Sequence, residues 1–359
     1  MGTFVRKFEE INKDMSQECG GKASHLGELT SLKLNVPRGF CVVAEAFSYH
    51  LKRNNLEEQI TEIAKDIHYD DFQDLEQKTG KIRSLIESAK IPPEIEEEII
   101  KNYHNLSKDE PEPFVAVRSS VAVRGSSISS FPGMMDTFHY LRGSEIVIAN
   151  VRRCWASVWS ARAASARQNK GVEHSKAIIA PVVQTMVNSR SAGVIFTLNP
   201  LNGDPSRIVI EGSWGLGESV VSGAVTPDKV VVDKVVLEIN ERIISPKNIE
   251  YVYDPEKRKV VHAEVAPDLQ NKPCLDDREI KELVRLAMCI EEHYGCPQDI
   301  EWAIDRDFPF PENIFILQSR AESVWSQKKK EPVLGKKSGY ELLMEKALTR
   351  TKTGLRSTG

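Results

Sequence analysis

Two short runs late in the chain, Ile300-Glu301-Trp302 and Leu317-Gln318-Ser319-Arg320, constrain the fold more than any other stretch. Each reads as a short strand, apolar on one face and ending in polar groups. Each therefore carries polar groups on one face and a core contribution on the other. A carboxylate and an amide oxygen on adjacent strands suit a hard cation such as Mg²⁺. An arginine two residues beyond the amide suits a phosphate oxygen. The rest of the chain is then read for what brings a nucleotide to this pair.

With 359 residues the chain can bury a large core and divide into two or more lobes. Charged residues make up 28%, which is ordinary for a globular protein. No apolar run approaches the ~18–20 residues of a membrane span. The charged N-terminus lacks the apolar core of a signal peptide. The six cysteines include no C-x-x-C pair and read as free thiols of a reducing cytoplasm, not as a zinc site. The net charge of −4 is uneven: residues 328–359 hold nine Lys/Arg and three Asp/Glu, leaving the remainder strongly acidic. Without interleaved aromatics, that basic tail reads as a linker or docking segment and not as a nucleic-acid contact.

In chain order, Gly20-Gly21-Lys22 precedes a helix-forming run. Its backbone amides and ammonium can cradle phosphate, or it can be a plain surface turn. It is not a Walker A loop, because position 16 is Ser where that pattern requires Gly. Residues 45–109 read as a helical scaffold, with Ile95, Ile99, Ile100 and Tyr103 at helical spacing. Phe114–Arg118 reads as a strand with an arginine at its end. Beyond it, Arg124–Ser130 is polar and small-residue-rich, consistent with a phosphate lid or with a surface loop. Residues 145–170 read as one long helix, with Trp155 and Trp159 in the core and Arg152, Arg153, Arg162 and Arg167 on a solvated face. Ile178–Val187 is an apolar extended run suited to joining two lobes and walling a flat base. Gly193–Thr197 and Ile208–Glu211 read as strands, 230–237 as a valine-rich strand, and 241–274 as hairpins. Asp276 caps a helix that Gly295 ends, with His293 as a helix-end cation.

Taken together and in this order, these pieces resemble the ATP-binding (ATP-grasp) domain of phosphoenolpyruvate synthase, pyruvate phosphate dikinase and rifampicin phosphotransferase. The stretches that carry the resemblance are Gly20-Gly21-Lys22, Pro37–Phe40, Val117–Ser120, Gln184–Val187, Gly193–Thr197, Trp214–Glu218, Asp299–Trp302 and Gln318–Arg320. The resemblance implies an α/β (α+β) ATP-grasp fold. It would have two lobes of mixed or antiparallel sheet with flanking helices, and a nucleotide in the cleft between them. The expected division is an N-terminal lobe over 1–182 with a lid over 119–137, a C-terminal lobe with the metal site over 183–326, and a basic tail over 327–359.

Residue by residue, the resemblance implies that Lys22, Arg118 and Arg320 hold ATP phosphates and act in catalysis. Gly133 and Thr137 would belong to the loop over the phosphates. Gln184, Thr185, Met186 and Val187 would hold the adenine, and Glu218 would lie near the ribose. Glu301 and Gln318 would bind Mg²⁺, with Mn²⁺ as the alternative ion. Two departures stand out. Val123-Arg124-Gly125 replaces the acidic pair common in synthases, while Pro132–Thr137 looks like the dikinase version. The second is that no Gly-Gly-x-x-Ser-His stretch is present, so the histidine that receives the phosphoryl group is expected on a partner swivelling domain. The chain in this respect is most similar to a stand-alone subunit such as the beta subunit of phenylphosphate synthase. That likeness implies a phosphotransferase inactive without its partner, with phenol as final acceptor. A self-contained small-molecule kinase and a non-catalytic nucleotide sensor are the competing readings.

Overall fold

The computed structural model describes residues 3–108, 110–123 and 137–325. Fifteen strands are present among them. They are β1 Val5–Lys7, β2 Gly39–Val42, β3 Val115–Arg118, β4 Val121–Val123, β5 Thr137–Leu141, β6 Ala177–Ile179, β7 Val182–Thr185 and β8 Ser189–Phe196, then β9 Arg207–Trp214, β10 Asp228–Asp233, β11 Ile239–Ile243, β12 Ile249–Asp254, β13 Lys259–Glu264, β14 Gln298–Asp305 and β15 Ile314–Ala321. The α-helices are α1 Ser16–Ser31, α2 Ala44–Arg53, α3 Glu57–Lys65, α4 Phe72–Ser88, α5 Pro93–His104, α6 Ser144–Ser157, α7 Ala161–Asn169, α8 Glu218–Val221 and α9 Asp277–Tyr294. No helix among the described residues is long and apolar enough to cross a membrane.

The strands build two antiparallel sheets. The five-stranded sheet has the order β1-β2-β7-β3-β5, and the six-stranded sheet the order β11-β10-β9-β8-β14-β15. Two antiparallel ribbons, β4–β6 and β12–β13, complete the α/β fold. Each main sheet has its own core. Ile82, Ile95, Ile99, Val147, Val151 and Trp155 of the helices pack with Phe40, Val115 and Val117 of the first sheet. Ile280, Leu283, Ala287 and Ile290 of α9 pack with Ile195, Ile210, Ile300 and Trp302 of the second. The chain passes between the sheets at Met186–Asn188, directly after β7. Helix α1 serves both, with Ala23 and Leu26 beside Cys41 and Val182, and Leu29 in the second core. The described residues up to Ala321 form one compact unit. Beyond it, Glu322 accepts hydrogen bonds from the Val324 and Trp325 amides.

The helix expected over 277–294 forms with both of its signals. Asp276 accepts from the Arg278 and Glu279 amides, Glu279 returns a contact to the Asp276 amide, and Gly295 takes a left-handed φ of 67°. Three expectations change. The single helix over 145–170 is two, because Ser160 adopts an extended ψ of 146° and caps α7 by accepting from the Ala163 amide. The valine-rich strand stops at Asp233, whose carboxylate accepts from the Val235 and Val236 amides in a side-chain-closed turn. Arg167 does not lie on a solvated face: it is 2% exposed.

Candidate functional site

The two strands that opened the reading are neighbours in the second sheet, with Glu301 directly opposite Gln318. Arg118, at the end of β3 in the first sheet, reaches both. Its Nη2 lies 2.9 Å from Glu301 Oε2 and 3.1 Å from Gln318 Oε1. Its Nη1 donates to Gln184 Oε1 and to the Leu317 carbonyl, each at 3.1 Å. One guanidinium thus joins the two sheets at the point where their polar faces converge. An arginine can do this because it is planar, always charged and donates in several directions at once.

Charges around this point are strongly coupled. Burial alone would raise the Glu301 carboxyl, but the Arg118 and Lys22 charges and the Arg118 hydrogen bond outweigh it, holding Glu301 below the ordinary glutamate value. Burial and the neighbouring Arg118 charge lower the Lys22 ammonium to about 7, with Glu301 opposing them in part. Lys22 owes its position to a backbone break. Gly20 takes φ 72° and ψ 167°, interrupting α1 so that a new helical turn starts with Gly21 and Lys22. A Cβ at Gly20 would lie 2.3 Å from Ser120 Oγ, so only glycine allows that approach. Ser120 Oγ donates to the Cys19 carbonyl at 2.9 Å and accepts from the Ala23 amide at 3.2 Å, clamping the break. Since Ser120 follows Arg118 by two residues, the clamp also fixes Lys22 relative to Arg118.

The Glu301–Gln318 pair fits a hard cation. Their oxygens already converge on one cationic nitrogen, which stands in for a metal ion. Among the described residues no cluster of three His, Cys, Asp or Glu side chains forms a metal cage. One carboxylate and one amide oxygen are what Mg²⁺ uses when substrate phosphates and water complete its shell.

Beside this point is a cavity of about 330 Å³. Gln184, Thr185, Met186 and Val187 line it along the passage between the sheets, with Thr137 and Glu218 at other walls. Its surfaces also include Ala192, Leu216, Val221 and Ala303, so it is apolar where a flat base would lie. Most of the expected site residues are therefore brought together. Arg320 is not: it shares a strand face with Gln318 but donates through Nε to Asp299 at 3.1 Å and is absent from the cavity wall. Gly133 lies outside the described residues. The expected lid is fixed at its described ends, because Ser119 and Ser120 are fully buried, Val121–Val123 pairs with β6, and Thr137 begins β5.

Sequence reasoning missed His139. It lines the same cavity, and its Nδ1 lies 3.4 Å from Glu218 Oε2. The signal was available: His139 follows Thr137 by two residues in a strand and so shares its face. It also missed the Leu317 carbonyl, since a backbone acceptor leaves no mark in a sequence.

Comparison with known families decides what this geometry belongs to. Residues 16–339 match the family described as pyruvate phosphate dikinase, AMP/ATP-binding domain. The chain belongs to this family. A probable phosphoenolpyruvate synthase of Staphylothermus marinus is 42% identical over 358 residues, covering 93% of this chain and 43% of that protein. The phosphoenolpyruvate synthase of Pyrococcus furiosus is 39% identical, covering 88% of this chain and 43% of that protein. A probable phosphoenolpyruvate synthase of Methanothermobacter thermautotrophicus is 41% identical, covering 89% and 46%. The chain thus spans less than half the length of the curated relatives it matches. As a member of this family it carries an AMP/ATP-binding domain, and the matched segment takes in both Lys22 and the Glu301–Gln318 pair.

Proposed function

We propose that the cleft binds Mg²⁺·ATP and splits it to AMP and phosphate, the β-phosphoryl group passing to a histidine on a swivelling domain. The observation that carries this reading is the Arg118 guanidinium, which occupies the convergence of Glu301 and Gln318 at the mouth of the apolar cavity. The adenine lies against Met186 and Val187, its edge hydrogen-bonded along Gln184–Val187, and the ribose lies near Glu218. The triphosphate then extends toward Lys22 and Arg118, with Thr137 over it. Arg118 leaves Glu301 and Gln318 and turns to a phosphate, freeing both oxygens. When bound there, Mg²⁺ neutralises phosphate oxygens as charge moves onto the leaving group. Arg320 joins the phosphate clamp only after exchanging its Asp299 partner for the anion.

The balance is ATP, water and histidine to AMP, phosphate and phosphohistidine. The imidazole nitrogen bonds to the β-phosphorus, the bridging oxygen to the α-phosphorus leaves with AMP, and water takes the γ-phosphoryl group as phosphate. The acceptor histidine comes from a swivelling domain, in a longer form of this chain or in a partner. The relatives' names favour pyruvate as the final acceptor. Phenol rests on likeness to the split system alone, and no described residue favours it.

The test is to incubate the chain with Mg²⁺·ATP and a histidine-bearing swivelling domain, then separate the nucleotides. AMP in step with phosphohistidine supports the reading. ADP as the sole nucleotide product, or AMP formation unchanged by Glu301→Ala, overturns it.

A further inference from the structure

The helical side of the first core lies apart from the nucleotide cleft. A cavity of about 800 Å³ opens there, and among the described residues it shares no lining residue with the nucleotide cavity. Phe47 and Leu51 of α2, Ile60 of α3 and Trp159 give it apolar walls, and Tyr69 and His174 give it one polar end. Behind that end lies Arg167. Its Nε donates to His174 Nδ1 at 3.0 Å, and its guanidinium carbon sits 5.3 Å from the centre of the Trp159 ring. Its Nη2 is buried without a hydrogen-bond partner, and among the described residues no carboxylate pairs with it. A buried, uncompensated guanidinium is expensive and marks a place where the fold keeps positive charge for a reason.

The hydrogen bonds around it have only one consistent direction. Guanidinium nitrogens donate and cannot accept, so His174 Nδ1 carries no proton. Burial and the Arg167 charge lower His174 to about 4, so the ring is neutral and its proton is on Nε2. That proton is donated to the Tyr69 hydroxyl oxygen, 2.5 Å away. The Tyr69 O–H is then left as a donor, polarised through the ring by a buried cation. It has no second partner among the described residues and stands at the wall of the cavity. Two carboxylates line the cavity, Glu57 and Glu173, and Glu173 is engaged by Lys176 at 3.3 Å.

We propose that this cavity is a second ligand site, which takes a small amphipathic monoanion: an aromatic or branched aliphatic body with a carboxylate head. The body fills the space among Phe47, Leu51, Ile60 and Trp159, and the carboxylate accepts from Tyr69. The ligand's charge supplies, across the His174 relay, the counter-ion that Arg167 lacks. The site does not depend on the nucleotide reading.

The probe is 4-(trifluoromethyl)phenylacetate, followed by ¹⁹F line broadening with the full chain, first alone and then with millimolar Mg²⁺·ATP, beside its neutral amide. Broadening by the acid at submillimolar concentration is expected, with the amide at least about tenfold weaker. Tyr69→Phe keeps the ring and should weaken the acid about tenfold or more, and Ala64→Phe, which fills the cavity, should abolish binding. Thermal melts establish that both variants fold, and the acid-to-amide comparison needs no variant. Equal binding of acid and amide overturns the site. So does displacement of the probe by ATP, indifference to both substitutions in folded protein, or no broadening at millimolar probe.

Discussion

Lys22 carries the most informative charge in the site. In the free protein, burial and Arg118 lower it to about 7. In the unfolded chain it holds its proton to about 10.4. Between these values the unfolded state binds more protons, so the free protein gains stability as pH rises through that window. A bound triphosphate reverses the local balance by supplying negative charge. Near pH 8.5, where ATP is fully ionised, binding should therefore take up close to one proton. Calorimetry in two buffers of different ionisation enthalpy reads this directly, and Lys22→Arg should bind ATP without the uptake. Equal apparent enthalpies in both buffers would remove Lys22 from the phosphate site. Glu301 is the opposite case, since the Arg118 and Lys22 charges hold its carboxyl below the ordinary glutamate value. Glu301→Gln keeps the shape and removes the charge. AMP formation should fall by about 10²–10³, and the Mg²⁺ concentration giving half-maximal rate should rise. A rate loss with unchanged Mg²⁺ dependence would leave Glu301 as a partner of Arg118 only.

At the level of elements, the Gly20 break sets the reach of Lys22. Gly20→Ala meets two penalties, a left-handed φ of 72° and a Cβ 2.3 Å from Ser120 Oγ. Together these should cost about 1–3 kcal/mol, lowering the melting midpoint and weakening ATP binding in the same variant. An unchanged midpoint would show that the segment relaxes freely. Much of this level was legible in the chain. The strand of Glu301 follows from alternation and that of Gln318 from its apolar run, and α9 from Asp276, its apolar stripe and Gly295. What alternation does not carry is partnership. The pairing of Glu301 with Gln318 could be guessed from two adjacent strands, but the Arg118 bridge spans 183 residues of sequence to Glu301. Arg167 failed for a related reason. Helical spacing places it beside solvated arginines, and only packing of α7 near Trp159 and His174 shows it buried. His293, read as a helix-end group, does lie in the last turn of α9 and also meets Glu28 of α1 at 2.7 Å. Its carboxylate partner lies 265 residues away, beyond any local pattern.

For the whole molecule, the question is what holds two sheets with separate cores in register across a cleft. Arg118 is one link, and α1 is a second through Asn35, whose side chain donates to the Glu312 and Ile314 carbonyls just beyond the helix. The third is aromatic. Tyr253 of β12 stacks on Tyr140 of β5 at 4.6 Å and lies 4.8 Å from Phe114, which leads into β3. The β12–β13 ribbon in turn touches the second sheet, where Gly215 bridges to Tyr251. An aromatic cluster of this kind contributes about 0.5–1.5 kcal/mol per pair beyond its burial. It is small beside either core, so Tyr253→Ala should leave each core folded and loosen their relation. If the binding-competent arrangement falls to about a third of the population, the apparent Kd for ATP rises about threefold. Hydrogen exchange should quicken in 249–264 and 114–118 while α9 keeps its protection. Saturating ATP should restore much of that protection, because a ligand that spans the cleft pays back the lost link. The idea fails if Kd and exchange both match the parent protein, or if α9 loses protection too, since the ribbon would then belong to the second core and not to the joint.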